Sequence, residues 1–167
     1  MIVIVDAVRT AMGGFQGSLS SLSAPQLGSV VIQETIKRAG IAATDVDEVI
    51  FGCVLPAGLK QAPARQAMRL AGVPDTVGAT TINKVCGSGM KAVMQAADAI
   101  KAGSANIIIA GGMESMSNAP YLLDKARGGL RMGHGKIIDH MFQDGLEDAE
   151  SGLSMGVLAQ EMADKKG

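Results

Sequence analysis

The sequence predicts an α/β fold with a mixed, mostly parallel sheet that carries helices on both faces. Two observations over the 167 residues support this prediction. Short apolar runs rich in Val and Ile alternate with longer segments in which apolar residues recur with a helical period. Glycine, with 22 residues, is about twice as frequent as usual and often stands where one kind of segment gives way to the next.

The predicted strands are continuous apolar runs, which are typical of strands buried on both faces of a sheet. They are, in chain order, Ile2–Val5, Asp47–Val54, Val77–Val85 and Asn106–Ala110. Their alternation with helices favours parallel neighbours, because a parallel pair needs a long crossover connection. Several connections are short, so mixed strand directions at one edge also fit the sequence.

Two helices are predicted from their end signals. Ser23 and Gln26 form a capping-box pattern, so a helix should begin there and continue until Gly40. Pro63 suits the first position of a second, short helix, which Gly72 ends.

A third helix is predicted from Ser88 to Lys101. Its apolar residues recur at i, i+3, i+4 and i+7, and they form one stripe: Val93, Ala96, Ala97 and Ile100.

The character of the chain changes after Tyr121, and we divide it into a core domain, 1–120, and part of a second, loop-rich domain, 121–167. Residues 124–152 are rich in Gly, Met and charge without a long period. A last helix is predicted from Met155, because apolar residues then recur with helical spacing up to the basic C-terminus.

Composition excludes several classes of function. The net charge is −1 and no basic stripe appears, so nucleic acid is not an expected partner. No apolar run approaches the roughly 20 residues of a membrane span, and the N-terminus lacks the pattern of a signal peptide. Two cysteines make no disulfide framework, which favours a reducing, cytoplasmic location. No cluster of residues has the spacing of a metal site.

The sharpest chemical feature is Cys86, which lies between a predicted strand and a predicted helix. Gly87 and Gly89 follow it and permit a sharp turn and a close ligand approach. The positive end of a helix dipole lowers the pKa of a thiol, and a thiolate is suited to acyl transfer through a thioester. The alternative is that Cys86 is a small buried apolar residue, since free cysteines are often buried. The motif alone leaves both interpretations open.

Four stretches together resemble the thiolase family in order and spacing. They are Ala7–Thr10 with Gly14-Phe15, Gln61–Gln66, Asn83–Gly89, and Gly111–Ser117 with Pro120-Tyr121. The likeness continues through Asp144–Leu146 and Met155-Gly156, so it covers essentially the whole chain but less than half of a thiolase. The sequence departs from the pattern at Ala11, where proline is usual.

The resemblance implies a thiolase-like half-fold and an acetyl-CoA C-acetyltransferase of fatty acid metabolism. Cys86 would be acylated by a thioester, and an enolate of a second thioester would attack the acyl-cysteine. The Cys86 amide would help to stabilise the oxyanion. Coenzyme A thioesters would be substrates, no cofactor would be needed, and the whole protein would form a homo-oligomer, a dimer or tetramer. A ketoacyl synthase is a related alternative, but Gly111–Ser117 favours a thiolase.

Three further positions match the residues that line the acyl and pantetheine pocket of thiolases: Leu146, Ser154 and Met155. Many thiolases have histidine where Ser154 stands, which leaves the preferred acyl chain open. Leu146 and Met155 could equally be core residues, because apolar stripes on helices usually are.

The resemblance also implies what this chain lacks. Thiolases supply a Gly-His-Pro histidine, a Cys-x-Gly cysteine and an Asn-Glu-x-Phe asparagine from their second half, and none of these motifs occurs here. We interpret His134 and His140 as surface or interface residues, Cys53 as a buried structural thiol, and Glu114 and Asp144 as structural acids. A competing hypothesis is therefore a non-catalytic half that packs against a missing C-terminal half or another chain.

Overall fold

The structure is a computed structural model that describes residues 1–167. It comprises two compact units, Met1–Asn118 and Ala119–Gly167. The first unit holds a parallel sheet of three strands in the order β2-β1-β3. These strands are β1 (Glu48–Gly52), β2 (Gly78–Ile82) and β3 (Ile108–Gly112). Strands β1 and β2 lie within predicted strands, and β3 overlaps the last predicted strand and extends beyond it to Gly112.

Helices cover both faces of this sheet, as the sequence predicts. They are α1 (Ala24–Ala39), α2 (Pro63–Leu70) and α3 (Ser88–Lys101). Val49 and Phe51 of β1 belong to the core that includes α1 and α2, whereas Ile50 packs with Ala92 and Ala96 of α3. Because alternate residues of a strand point to opposite faces, α3 lies on the face opposite to α1 and α2. The prediction of an α/β fold is confirmed.

The ends of α1 follow the residues that predict them. The side-chain oxygen of Gln26 accepts a hydrogen bond from the backbone N–H of Ser23 at 2.8 Å. Gly40 ends the helix in the left-handed conformation, with φ of +66°, and its N–H donates to the carbonyl oxygen of Lys37. Glycine takes this conformation at little steric cost, which explains the helix stop.

The start of β3 is aligned with β1 by one carboxylate. Asp47, just before β1, accepts hydrogen bonds from the backbone N–H groups of Asn106 at 2.6 Å and Ile107 at 3.0 Å. These donors, that of Ile107 first, hold the pKa of Asp47 below its ordinary value. The negative charge at Asp47 is therefore stabilised by the chain segment that enters β3.

The buried face of α3 matches the predicted stripe only in part, because Ala96 of the stripe is buried but Val93 is not. Ser88, Ala92 and Ala96 are the buried residues of this helix, whereas Val93 is 42% exposed. Small side chains face the sheet because α3 crosses the glycine-containing ends of β1 and β3 closely. A Cβ added to Gly52 would lie 2.5 Å from the Cβ of Ser88. The buried face of α3 is therefore determined by how closely its backbone approaches that of the sheet, and not by the size of its apolar side chains.

The predicted first strand, Ile2–Val5, is wrong: residues 1–10 form no secondary structure and all four of its side chains are exposed. The apolar run has a high β propensity, but a strand also needs a neighbour for its backbone groups. Here the segment lines a cavity of about 780 Å³ that β3 also lines, so it stands away from the edge of the sheet.

The second unit holds short elements and one helix. Strands β4 (Tyr121–Leu122) and β5 (Ile138–Asp139) pair antiparallel, and a π-helical turn follows at Phe142–Leu146. Helix α4, Met155–Lys166, forms as predicted. Neither unit contains a helix that combines the length and apolar character of a membrane span.

We predict that Gly52→Ala destabilises the first unit, because the new methyl group would overlap Ser88 and would lie 2.9 Å from its carbonyl carbon. Overpacking of this kind typically costs about 1–3 kcal/mol. Urea denaturation followed by circular dichroism measures the loss. Gly78→Ala is the matched control, since its added Cβ would meet only Glu48 Cγ at an ordinary 3.7 Å. Equal losses in the two variants would contradict the steric explanation.

Candidate active site

Cys86 lies in a tight turn that joins β2 to α3. The strand ends at Ile82, and α3 begins at Ser88 with Gly87 as its N-cap. Within the turn, Val85 has a φ of +45°, in the left-handed region. A β-branched residue is rarely found there, so the turn is unusually sharp at the residue before the thiol. The sequence predicts a turn at Cys86 but is wrong in extending the strand to Val85, because β2 ends at Ile82 and Val85 is the residue that bends.

Two polar side chains bind the backbone of this turn. Asn83 Oδ1 accepts a hydrogen bond from the N–H of Val85 at 2.8 Å. Ser88 Oγ accepts one from the N–H of Lys84 at 2.8 Å and donates one to the carbonyl oxygen of Val85 at 2.6 Å. Ser88 is only 5% exposed, so its hydroxyl has little competition from water. Sequence reasoning missed both roles, although both residues belong to the motif around Cys86.

The thiol of Cys86 is exposed and borders a cavity of about 310 Å³. Three glycines are among the residues that line the cavity with Cys86: Gly52, Val54, Val85, Ser88, Gly89, Gly112, Met113 and Glu114. Gly52 and Gly112 end β1 and β3, so the cavity lies at the carboxyl ends of parallel strands, where α/β proteins commonly bind ligands. The exposure of Cys86 does not fit the alternative of a buried apolar cysteine.

The backbone amide of Cys86 donates to no protein acceptor, whereas those of Gly87 and Ser88 bond to Lys84 and Val85 within the turn. A free N–H beside an exposed thiol is suited to bind an oxygen that becomes negative during attack on a carbonyl. The nearby N-terminus of α3 adds the partial positive charge of the helix dipole.

Glu114 forms the other wall of this cavity and is structural, as the sequence predicts. Its carboxylate accepts hydrogen bonds from the backbone N–H groups of Val54 at 2.7 Å and Leu55 at 3.0 Å. The thiol of Cys53 also donates to it, at 3.5 Å. Glu114 therefore holds the loop after β1 against the end of β3.

Cys53 is a buried thiol, only 1% exposed. Its burial, together with the adjacent charge of Glu114, raises the pKa of Cys53 to about 12. A thiol that stays protonated is a poor nucleophile, so Cys53 is a structural thiol.

The three predicted pocket residues lie in the second unit. An isolated antiparallel bridge between Glu147 and Ser154 brings the chain at Leu146 beside Met155. Ser154 is the N-cap of α4, and its side chain accepts a hydrogen bond from Val157 at 3.4 Å. Leu146 is half-buried and Met155 is exposed. Their role in substrate binding stays a prediction.

The two histidines have different environments. His134 is exposed, as predicted, but the surface assignment of His140 is wrong, because this residue is 4% exposed. Its Nδ1 lies 2.6 Å from Oδ2 of Asp144, and its Nε2 is buried without a partner. The i,i+4 spacing of this His–Asp pair was the signal available in the sequence. Asp144 is thus a paired acid.

The fold and the turn define an α/β protein that presents a cysteine between a strand and the N-terminus of a helix. The sequence of residues 2–167 matches the family model of the thiolase N-terminal domain. The chain therefore belongs to the thiolase family.

Acetyl-CoA acetyltransferases from bacteria and a plant are similar to the chain. The acetyl-CoA acetyltransferases of Escherichia coli K12 and Pseudomonas aeruginosa are 56% and 54% identical to the chain over 166 residues. Acetyl-CoA acetyltransferase 2 of Arabidopsis thaliana is 53% identical over 164 residues. These alignments cover 98–99% of this chain but only 41–42% of each relative. The chain thus spans about two fifths of the length of these relatives.

We predict that iodoacetamide modifies one of the two thiols in the folded chain, at Cys86, and both thiols in urea. Burial and a pKa of about 12 keep Cys53 protonated, so raising the pH from about 8 to about 10 should still leave it unmodified. Peptide mass mapping identifies the modified residue, with Cys86→Ser and Cys53→Ser as paired controls. Equal rates at both thiols in the folded chain would rule out this contrast.

Proposed function

We propose that this chain carries the nucleophile of an acetyl-CoA C-acetyltransferase, which condenses two acyl-CoA thioesters and cleaves 3-ketoacyl-CoA in reverse. The observation that carries the proposal is the exposed Cys86 thiol at the cavity between the strand ends and α3. Its support is the likeness to acetyl-CoA acetyltransferases over nearly the whole chain. A role in fatty acid metabolism, a homo-oligomeric assembly and a cytoplasmic location are part of the same proposal.

In the first step, Sγ of Cys86 attacks the carbonyl carbon of a thioester. A new carbon–sulfur bond forms, the bond to the sulfur of coenzyme A breaks, and coenzyme A leaves with the proton of the Cys86 thiol. In the second step, a base supplied by further polypeptide removes a proton from the α-carbon of another thioester, and the resulting enolate carbon attacks the acyl-cysteine. A carbon–carbon bond then forms, and the sulfur of Cys86 is released as a thiolate.

Both steps pass through a tetrahedral intermediate with a negative oxygen. The unpaired N–H of Cys86 is one donor for that oxygen. A donor of this kind is worth about 3 kcal/mol of barrier. Glycines at the strand ends and at the start of α3 leave room for a thioester to reach the sulfur, since they carry no side chain.

The same proposal assigns the acyl and pantetheine pocket to Leu146, Ser154 and Met155. Two of these side chains are apolar, and Ser154 Oγ already accepts the hydrogen bond that caps α4. The pocket therefore offers mainly apolar contact to the acyl group. A chain-length preference would follow from the bulk at these three positions.

A second candidate function is that of a half that acts only with further polypeptide. The observation that favours it is exposed apolar surface on α3, where Met90 is 73%, Met94 56% and Val93 42% exposed. Contiguous apolar surface on a helix is typical of a protein interface. Neither histidine of the chain has the motif of the family's catalytic base, so the base and the second cysteine would come from that polypeptide.

We predict that incubation with acetyl-CoA adds one acetyl group to Cys86. The chain is tested alone and co-expressed with the C-terminal part of the Escherichia coli relative, because that part can supply a base. Mass spectrometry of the intact protein and of its peptides locates the adduct. Cys86→Ala should abolish it, and Cys53→Ala should retain it. An adduct at another residue, or none in the complemented protein, would refute the proposal.

The chain alone is expected to catalyse thiolysis of acetoacetyl-CoA at a rate about 10²–10⁴-fold below that of the complemented protein, which is the usual contribution of a general base. Release of acetyl-CoA, measured against the Cys86→Ala background, gives both rates. Equal turnover with and without the C-terminal part would eliminate the second candidate function.

A further inference from the structure

The conformation of Val85 is the least expected feature of the turn that carries Cys86. With a φ of +45°, this residue lies in a region that disfavours β-branched side chains. Such a residue persists only where its surroundings over-determine the backbone. The side chain of Val85 is 49% exposed, so core packing does not supply that constraint.

The constraint comes instead from hydrogen bonds at both polar groups of Val85. Its N–H donates to Asn83 Oδ1, and its carbonyl oxygen accepts from both the hydroxyl and the N–H of Ser88. Ser88 cannot move away easily, because Gly52 lies against it and leaves no spare space. Val85 is therefore held on one side by an exposed asparagine and on the other by a buried serine.

The hydroxyl of Ser88 acts on the turn rather than on the helix. A serine at the beginning of a helix commonly accepts from a free backbone N–H of the first helical turn. Here the hydroxyl reaches backwards, accepting from Lys84 and donating to Val85, and α3 has no side-chain cap at Gly87. The stability of α3 alone does not explain this arrangement.

We propose that Asn83 and Ser88 are positioning residues for the nucleophile: they hold Val85 in its left-handed conformation and thereby keep the Cys86 thiol at the cavity. This inference rests on the proposed role of Cys86. Without the two side chains, Val85 relaxes to a negative φ. Because Cys86 directly follows Val85, this change of backbone conformation alters the direction of the Cys86 side chain relative to the N-terminus of α3.

The test is the second-order rate of Cys86 alkylation by iodoacetamide in the folded 167-residue chain. Ser88→Ala and Asn83→Ala should each lower the rate about tenfold, which is less than the roughly 10²-fold that a 1 Å misplacement of a reacting group can cost. The rate is measured from about pH 6 to about pH 10. A thiol that is less accessible to the reagent reacts more slowly at every pH, whereas a change in the thiolate fraction alters the pH dependence of the rate. Ser29→Ala is the control, since it removes an exposed hydroxyl that donates to Gln26 on α1.

The decisive variants add Val85→Gly to each substitution. Glycine adopts a positive φ without a side-chain penalty, so Val85→Gly should restore most of the lost rate in both double variants. A merely structural role would lower the thermal stability of Ser88→Ala and Asn83→Ala without changing the alkylation rate. That result, or a loss of rate that Val85→Gly does not restore, overturns the inference. Because alkylation needs no acetyl-CoA, failure of acetylation leaves this result interpretable by itself.

Discussion

Gly52 leaves no room for a side chain where the first turn of α3 crosses the end of β1, and the site depends on that close approach. The missing Cβ allows Ser88 to be buried against the strand. A buried Ser88 can then bind the turn on its other side, and the turn presents Cys86. The steric requirement at one strand residue thus determines the direction of a thiol more than thirty residues later in the sequence, through contacts that are all local in space.

The sequence predicted the elements around the site well, because their signals are local. Pro63 begins α2, Gly40 ends α1, and three of the four predicted strands overlap β1, β2 and β3. The position of Cys86 between strand and helix also followed from the pattern of residues 77–103. These predictions succeed because each depends on the conformational preference of one residue or on the period of a short segment.

The predictions that failed depend on tertiary contacts. Ile2–Val5 has the composition of a strand, but its pairing requires a neighbour that composition cannot supply. Val93 has the apolar character of a core residue, yet it is exposed, and Ala92 from outside the predicted stripe is buried beside Ala96. His140 is buried, and Asp144 one turn later is the partner of its Nδ1. The hydrogen bonds of Asn83 and Ser88 likewise become visible only when the bent backbone at Val85 is known.

Because Cys53 is buried and bonded to Glu114, oxidation of the chain is directed away from its core. Oxidants act on thiols that are accessible and ionised, and Cys53 is neither, because it is sealed in the core and held protonated. An oxidant that enters the cavity meets Cys86 at its surface instead. Oxidation at Cys86 would therefore silence the nucleophile while the sheet and its helices remain intact, and a reductant restores the thiol as long as oxidation stops at the sulfenic acid.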